Sequence, residues 1–312
     1  MSTLEQVRIN FTNDSVVLLN FCLGFIMFGV ALNLKKDNFV SLINNKKAVL
    51  TGLTSQFLLL PTFTFLLILI VKPHPGLALG MILVAACPGG NVSNFYSMVG
   101  KGNVALSVTL TAIATIVAAF ATPFNFSFWG SLSPETSEII QSIGLSFTDM
   151  FKTVFLILVF PLFIGLIVSS KAPKIASLIE KPVKVVSFLI LIAFIVVATV
   201  DNLDVFKNYI HYVVALVLLH NLMALAIGYF TGKLFKNNEQ DCRTISIETG
   251  VQNGGLALVL IFNFFDGNGP MALLAAWWGV WDIFSGYIIA SIFAFRSKRS
   301  VAKLSRGIKT LT

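Results

Sequence analysis

This sequence has little charge. Only 12% of its residues are Asp, Glu, Lys or Arg, against about a quarter in soluble domains. Hydrophobic residues make up 56% and the mean hydropathy is +0.86, which excludes a soluble globular chain and reads as a membrane protein throughout. Cysteine is nearly absent as well. Cys22, Cys87 and Cys242 fall in different segments without metal-ligand spacing, so neither a disulfide framework nor a zinc site is suggested. The three histidines do not cluster, and Cys87 abuts a proline with no base at a readable spacing. The nucleophile, metal cluster or cofactor motif that an enzyme would need is therefore missing. No cleavable signal pattern is evident, because residues 1–14 are polar and the first apolar run ends at Lys35 without a small-residue cleavage site.

What is present is apolar length. Runs able to cross about 30 Å of hydrocarbon lie near 15–34, 47–71, 77–99, 103–126, 144–169, 184–201, 209–231, 244–265 and 271–295, which makes nine spans. The net charge of +8 lies in short connections and a tail, so topology explains it and a nucleic-acid partner is not implied. Of 22 Lys and Arg residues, 18 fall in alternate connections, including six between Arg296 and Lys309. The opposite connections hold Arg8, Lys72 and Lys207, and include the base-free loop Ser131 to Glu138. The positive-inside rule then puts the amino terminus outside and the carboxyl terminus in the cytoplasm of a plasma or bacterial inner membrane. Lys152 is the one basic residue within a span and reads as facing a cavity or snorkelling.

Two spans are interrupted by polar residues. The eighth contains Glu248-Thr249-Gly250-Val251-Gln252-Asn253-Gly254-Gly255. A carboxylate at that depth costs about 2.5–3.5 kcal/mol on insertion scales, so it is rarely accidental. The third contains Cys87-Pro88-Gly89-Gly90-Asn91-Val92-Ser93-Asn94, in which proline removes a donor and glycine loosens the helix. Loosened backbone in lipid is tolerated only inside protein or along a wet cavity. The third and eighth spans hold matching places in the two halves, as do Gln56 in the second and His220-Asn221 in the seventh. An unpaired fifth span makes the halves inverted, and paired broken helices in inverted halves point to a secondary transporter's midplane site.

The residues support a definite chemistry. Ser93 and Asn94 offer oxygen ligands at the first break, Ser107 and Thr111 offer two more on one face of the fourth span, and Glu248 could close that shell. Each has a plainer alternative. Ser and Thr in membrane helices commonly bond their own backbone, and Asn94, Gln56 and Gln252 could be interhelical hydrogen-bond pairs. Glu248 could carry a proton or pair with Lys152, and His220 reads as a satisfied interior histidine. Asn91 and Asn253 carry amides able to donate to a carboxylate, near the ends of half-helices whose dipoles favour an anion.

The strings Cys87 to Asn94, Lys101-Gly102-Asn103-Val104-Ala105-Leu106-Ser107 and Glu248 to Asn253 resemble the bile acid:sodium symporter family, as do Phe28-Gly29 and Pro61. The resemblance covers nearly the whole chain. It implies an all-α polytopic fold of nine spans, one fewer than bacterial members of known fold, in a single transporter domain. A core (about 47–126 and 209–295) would carry the discontinuous third and eighth spans, a panel (about 15–34 and 144–201) would pack beside it, and 296–312 would form a basic cytoplasmic tail. It implies sodium as the coupling ion, with a first site at Ser93, Asn94, Ser107, Thr111 and Glu248. A second would use Gln56, Glu248, Thr249, Val251 and Gln252, with Thr249 and Val251 acting through carbonyls. The substrate would be a small organic anion beside Asn91, Val92, Asn253 and Gly254, with no obligate protein partner. Where bacterial bile-acid-binding relatives have His-Asn in the last span, this chain has Asp282-Ile283. Asp282 is either a cavity-wall group or a helix-to-helix hydrogen-bond partner. An extra anion favours a compact keto or hydroxy acid such as pantoate or pyruvate over a bulky bile salt. A passive channel and a sodium-independent exchanger remain as alternatives.

Overall fold

The structure is a computed structural model that describes residues 13–32, 45–200 and 203–309. Among these residues it is helical throughout, with no strand beyond one isolated bridge. Helix α1 (Asn13–Leu32) precedes a rod made of α2 (Lys46–Thr54), a π-helical turn (Ser55–Leu59) and α3 (Leu60–Val71). There follow α4 (Pro75–Ala86), α5 (Ser93–Val99), α6 (Val104–Gly130) and α7 (Pro134–Ile143). A second rod joins α8 (Phe147–Val154), a π turn (Phe155–Val159) and α9 (Phe160–Lys171). The chain continues through α10 (Pro173–Val200), α11 (Leu203–Leu234), α12 (Glu239–Gly250), α13 (Gly254–Phe264) and α14 (Gly269–Lys309).

Six of these rods are long and apolar enough to cross a membrane: Asp14–Leu32, Lys46–Val71, Val104–Gly130, Phe147–Lys171, Val213–Leu234 and Gly269–Ser297. The shorter α4 and α13 have 12 and 11 residues, so each reaches only about 16–18 Å at about 1.5 Å per residue. The chain is a polytopic integral membrane protein. The expected spans 77–99 and 244–265 are each two short helices, interrupted at the polar strings. One sequence expectation needs correction. The segment read as a loop from Ser131 to Glu138 enters α7, which has Pro134 in its first turn, Glu135 at its positive end and Gly144 at φ +64° as a left-handed cap. The basic segment from residue 296 continues α14 as helix to Lys309, and residues 310–312 lie outside the described residues. Arg8, Lys35 and Lys36, and the ends of the first and sixth expected spans at 33–34 and 201, lie outside the described residues.

The π turn in the first rod has a local cause. Pro61 has no N–H to give to the carbonyl of Phe57, and Asn125 Nδ2 from α6 donates to it instead at 3.1 Å. The widened turn presents Gln56 to the interior, where it is buried. The closest helix pairing, α11 with α12, rests on Gly228 and Gly232, a small-xxx-small pattern that lets backbones touch. A Cβ on Gly228 would sit 2.6 Å from Ile245 O and 2.7 Å from Ser246 Cα, both main-chain atoms that cannot swing aside. Gly228→Ala is therefore expected to cost about 1–3 kcal/mol, the usual range for overpacking. Thermal unfolding in detergent should show a lower Tm. Gly279→Ala, whose Cβ meets nothing within 4 Å, should leave Tm unchanged. Helix α1 packs chiefly on α9 and α10.

Candidate functional site

The two interruptions meet. Gly89 and Gln252 form an antiparallel bridge, with Gly90 N–H donating to Val251 O at 2.8 Å and Asn253 N–H donating to Pro88 O at 2.9 Å. Every helix end leaves carbonyls without intrahelical partners, and in a dry interior each must find one. After α4, Ala86 O accepts from Thr122 Oγ1 at 2.8 Å and Cys87 O from Gln56 Nε2 at 2.8 Å. After α12, Gly250 O accepts from Asn221 Nδ2 at 2.8 Å and Thr249 O from Gln252 Nε2 at 2.7 Å. Side chains from the neighbouring rods, with Gln252 of the second break itself, thus complete both breaks. The carboxyl ends of α4 and α12 and the amino ends of α5 and α13 converge there.

Glu248 projects from the last turns of α12 into this crossing and is buried. Its Oε1 accepts from Ser93 Oγ at 2.6 Å, from Ser107 Oγ, and from Thr111 Oγ1 at 3.2 Å; Oε2 accepts from Thr111 at 3.1 Å. Ser93, Ser107 and Thr111 are buried as well. Thr111 Oγ1 also lies 3.0 Å from Ser107 O, the ordinary back-bond of a helical threonine, which competes with the carboxylate for its one hydroxyl hydrogen. Each hydroxyl that donates to the carboxylate keeps oxygen lone pairs for a cation. Asn94 Nδ2 donates to Asn91 O at 3.3 Å, while its buried Oδ1 has no hydrogen-bond partner. A buried acceptor left unpaired costs about 1–3 kcal/mol, and a cation beside it would remove that cost.

The second group is also brought together, in a different state. Gln56 Nε2 donates to Gln252 Oε1 at 3.0 Å, and Gln252 Nε2 lies 3.3 Å from Gln56 Oε1. Thr249 Oγ1 lies 2.9 Å from Ser55 Oγ, and the Thr249 and Val251 carbonyls accept the bonds described above. These oxygens are engaged with one another, so a cation there would replace an amide pair instead of entering a ready shell.

The sequence profile of the Sodium Bile acid symporter family matches residues 20–209, more than half of the chain. The chain belongs to this family. It is 29% identical over 281 residues to an uncharacterized sodium-dependent transporter of Bacillus subtilis, YocS, covering 90% of this chain and 84% of that one. It is 30% identical over 244 residues to the probable sodium/metabolite cotransporter BASS2, chloroplastic, of Oryza sativa, and 26% identical over 308 residues to a mouse sodium-dependent organic anion transporter. The chain spans 78% of the mouse relative but little more than half, 56%, of the rice one. Sodium-dependent transport is the family's activity, which implies sodium as the co-transported ion.

The other expected residues of this symporter-family chain divide. Asn253 is buried and its Oδ1 caps α13 by accepting from Leu256 N at 3.0 Å, leaving Nδ2 without a partner among the described residues. Asn91 is half-buried with no side-chain hydrogen bond among the described residues, and Val92 is 47% exposed, so both remain open to a ligand. Gly254 lets α13 approach α14, since a Cβ there would lie 3.2 Å from Gly279 Cα. Asp282 is buried; its Oδ2 accepts from Gln252 N at 2.8 Å and its Oδ1 from Asn221 Nδ2 at 3.2 Å. Asp282 thus ties α14 by hydrogen bonds to α11 and to the break between α12 and α13. Lys152 pairs with Asp149 at 3.4 Å on an exposed face and not with Glu248. His220 is buried, with Nε2 2.7 Å from Thr64 Oγ1. Sequence reasoning missed Ser55 and Thr122, which serve the breaks, and Asn125, which serves the π turn that carries Gln56. Their only signal was a polar residue in an apolar run, the same signal that many silent residues give.

Proposed function

We propose that this protein is a sodium-coupled symporter that imports a small organic anion by alternating access, and that the Glu248 shell is its first sodium site. The observation that carries the reading is the convergence of Ser93, Ser107 and Thr111, from α5 and α6, on the buried carboxylate of Glu248 in α12. Sodium prefers several oxygen ligands, and this set supplies neutral oxygens with a single negative charge; Asn94, next to Ser93 in the chain, would add its unpartnered Oδ1. A second ion would take Gln56, Glu248, Thr249, Val251 and Gln252 once the Gln56–Gln252 pair opens. The substrate would sit beside Asn91, Val92, Asn253 and Gly254, with the side-chain N–H groups of Asn91 and Asn253 donating to its carboxylate and the Asn91 oxygen accepting from a hydroxyl. Asp282 would act at the pocket's edge by holding the Gln252 backbone. Two small amides suit a compact keto or hydroxy acid such as pantoate better than a steroid conjugate.

In this reading nine spans form two bundles, in a plasma or bacterial inner membrane with the amino terminus outside. Core motion against a panel of the first, fifth and sixth spans is supported by the packing of α1 on α9 and α10. Two sodium ions entering with one monovalent anion carry one net positive charge inward, so the potential contributes about 2.3 kcal/mol per 100 mV. Uptake into vesicles of small carboxylates, with bile salts as the comparison, is expected to need an inward sodium gradient and to rise with an inside-negative potential. Accumulation driven by a proton gradient with sodium absent would overturn the coupling.

A further inference from the structure

Three helices begin at one point of the molecule, and the residue before each is an asparagine: Asn45 before α2, Asn103 before α6 and Asn238 before α12. All three turn their amide nitrogen onto one carboxylate, that of Asp241. Asn103 Nδ2 donates to Oδ1 at 2.8 Å, while Oδ2 accepts from Asn238 Nδ2 at 2.7 Å and from Asn45 Nδ2 at 3.1 Å. Asp241 is buried, and no Lys or Arg pairs with it among the described residues. Its burial is offset by neutral amides and by the positive ends of three helices. Asn103 and Asn238 use their side-chain oxygens at the same time to cap Leu106 N at 3.1 Å and Asp241 N at 2.9 Å. Neither can swing away without losing a cap as well as the carboxylate.

These three helices carry the residues of the candidate cation sites. Gln56 follows Asn45 in the first rod, Ser107 and Thr111 lie four and eight residues after Asn103, and Glu248 lies seven after Asp241. Seven residues are two turns, so Glu248 lies on Asp241's face, about 10 Å further along the helix. A slip of α12 past α6 by one residue, about 1.5 Å, would break the bond from Ser107 to Glu248 and the Thr111 contacts at 3.1 and 3.2 Å. We propose that Asp241 is a positioning residue. By holding the first turns of α2, α6 and α12 in register, it presents Ser107 and Thr111 to Glu248 in the arrangement that takes sodium. This rests on the reading of the Glu248 shell as a cation site.

Asp241→Asn keeps the size of the side chain but turns an amide N–H2 toward three N–H2 donors. The sodium concentration for half-maximal uptake is expected to rise about 10- to 100-fold, the range for groups that orient a metal's ligands. The half-saturating substrate concentration at saturating sodium should stay within about twofold, since uniform loss of structure would move both. Amide hydrogen exchange in the first turns of α2, α6 and α12 should accelerate together. The exchanged pair, Asn103→Asp with Asp241→Asn, restores complementary partners: Asp at 103 still caps Leu106, and Asn at 241 donates to it while accepting from Asn45 and Asn238. It is expected to return sodium dependence and exchange rates toward wild type. If Asp241→Asn gives no folded protein, Asn45→Ala, which removes one donor, is measured in the same way. A folded variant with wild-type sodium dependence, unchanged exchange, or a folded pair without recovery overturns the proposal. A wild-type protein that does not respond to sodium would instead sink the cation-site reading, and the exchange rates would still decide whether Asp241 ties the helices.

Discussion

Glu248→Ala is expected to abolish sodium-dependent uptake, with at least a hundredfold loss. The substitution removes the only formal charge among the oxygens contributed by Ser93, Ser107 and Thr111. A unit charge about 4 Å from a cation is worth roughly 4 kcal/mol at an effective dielectric of about 20. That is close to a thousandfold in affinity, at about 1.4 kcal/mol per decade, and loss of a second cation contact would add to it. Glu248→Gln separates the coupling mechanisms. If Glu248 carried protons, the glutamine would imitate its protonated form and exchange of substrate without sodium would survive. If it holds sodium, glutamine fails nearly as badly as alanine, because its amide N–H2 faces hydroxyls that already donate. Isotope exchange in sealed vesicles, with protein surface expression matched, distinguishes the two.

Gly89→Ala should produce the next largest loss, at least tenfold in sodium-dependent uptake. A Cβ at Gly89 would lie 2.9 Å from Glu248 O and 3.1 Å from Glu248 Oε2, and at Gly90 it would lie 3.0 Å from Gln252 O. The methyl group at 89 therefore strikes a main-chain oxygen and the site carboxylate at once. The crossing has to open by several tenths of an ångström, and active sites lose about a hundredfold for a misplacement of about 1 Å. The loss should appear mainly in the apparent sodium affinity, read from uptake against sodium concentration. Gly255→Ala is the matching control for folding, since its Cβ would meet Asn253 Oδ1 and Leu23 Cδ1 at 3.5 and 3.6 Å, ordinary contact distances.

The sequence revealed the breaks because they contradict their surroundings: Glu248, Asn94 and Pro88-Gly89-Gly90 are costly inside an apolar run. It also revealed why glycine flanks them, but only half of the reason. Flexibility was legible, whereas the approach of Gly89 to Glu248 O depends on a contact between residues 159 positions apart. Asp241 was invisible for a related reason. An Asp three residues into a helix looks like ordinary complement to the dipole, and nothing local says that Asn45 and Asn103 come to meet it. Helix α7 is a different case. Pro134, Glu135 and Gly144 are start and stop signals that the sequence does display, and the absence of basic residues in 131–138 drew attention to topology instead. The Gly228–Gly232 pair was likewise readable as a small-xxx-small face, but such faces name no partner until α12 is seen against them.

The most direct test of the account is equilibrium binding of radiolabelled sodium to the purified protein, with no gradient and no transport involved. Wild-type protein is expected to retain sodium saturably, Ser107→Ala to retain it more weakly, and Glu248→Ala to retain none at the first site. Equal sodium retention by wild type and Glu248→Ala would contradict the claim that the crossing of the two broken helices is where the ion is held.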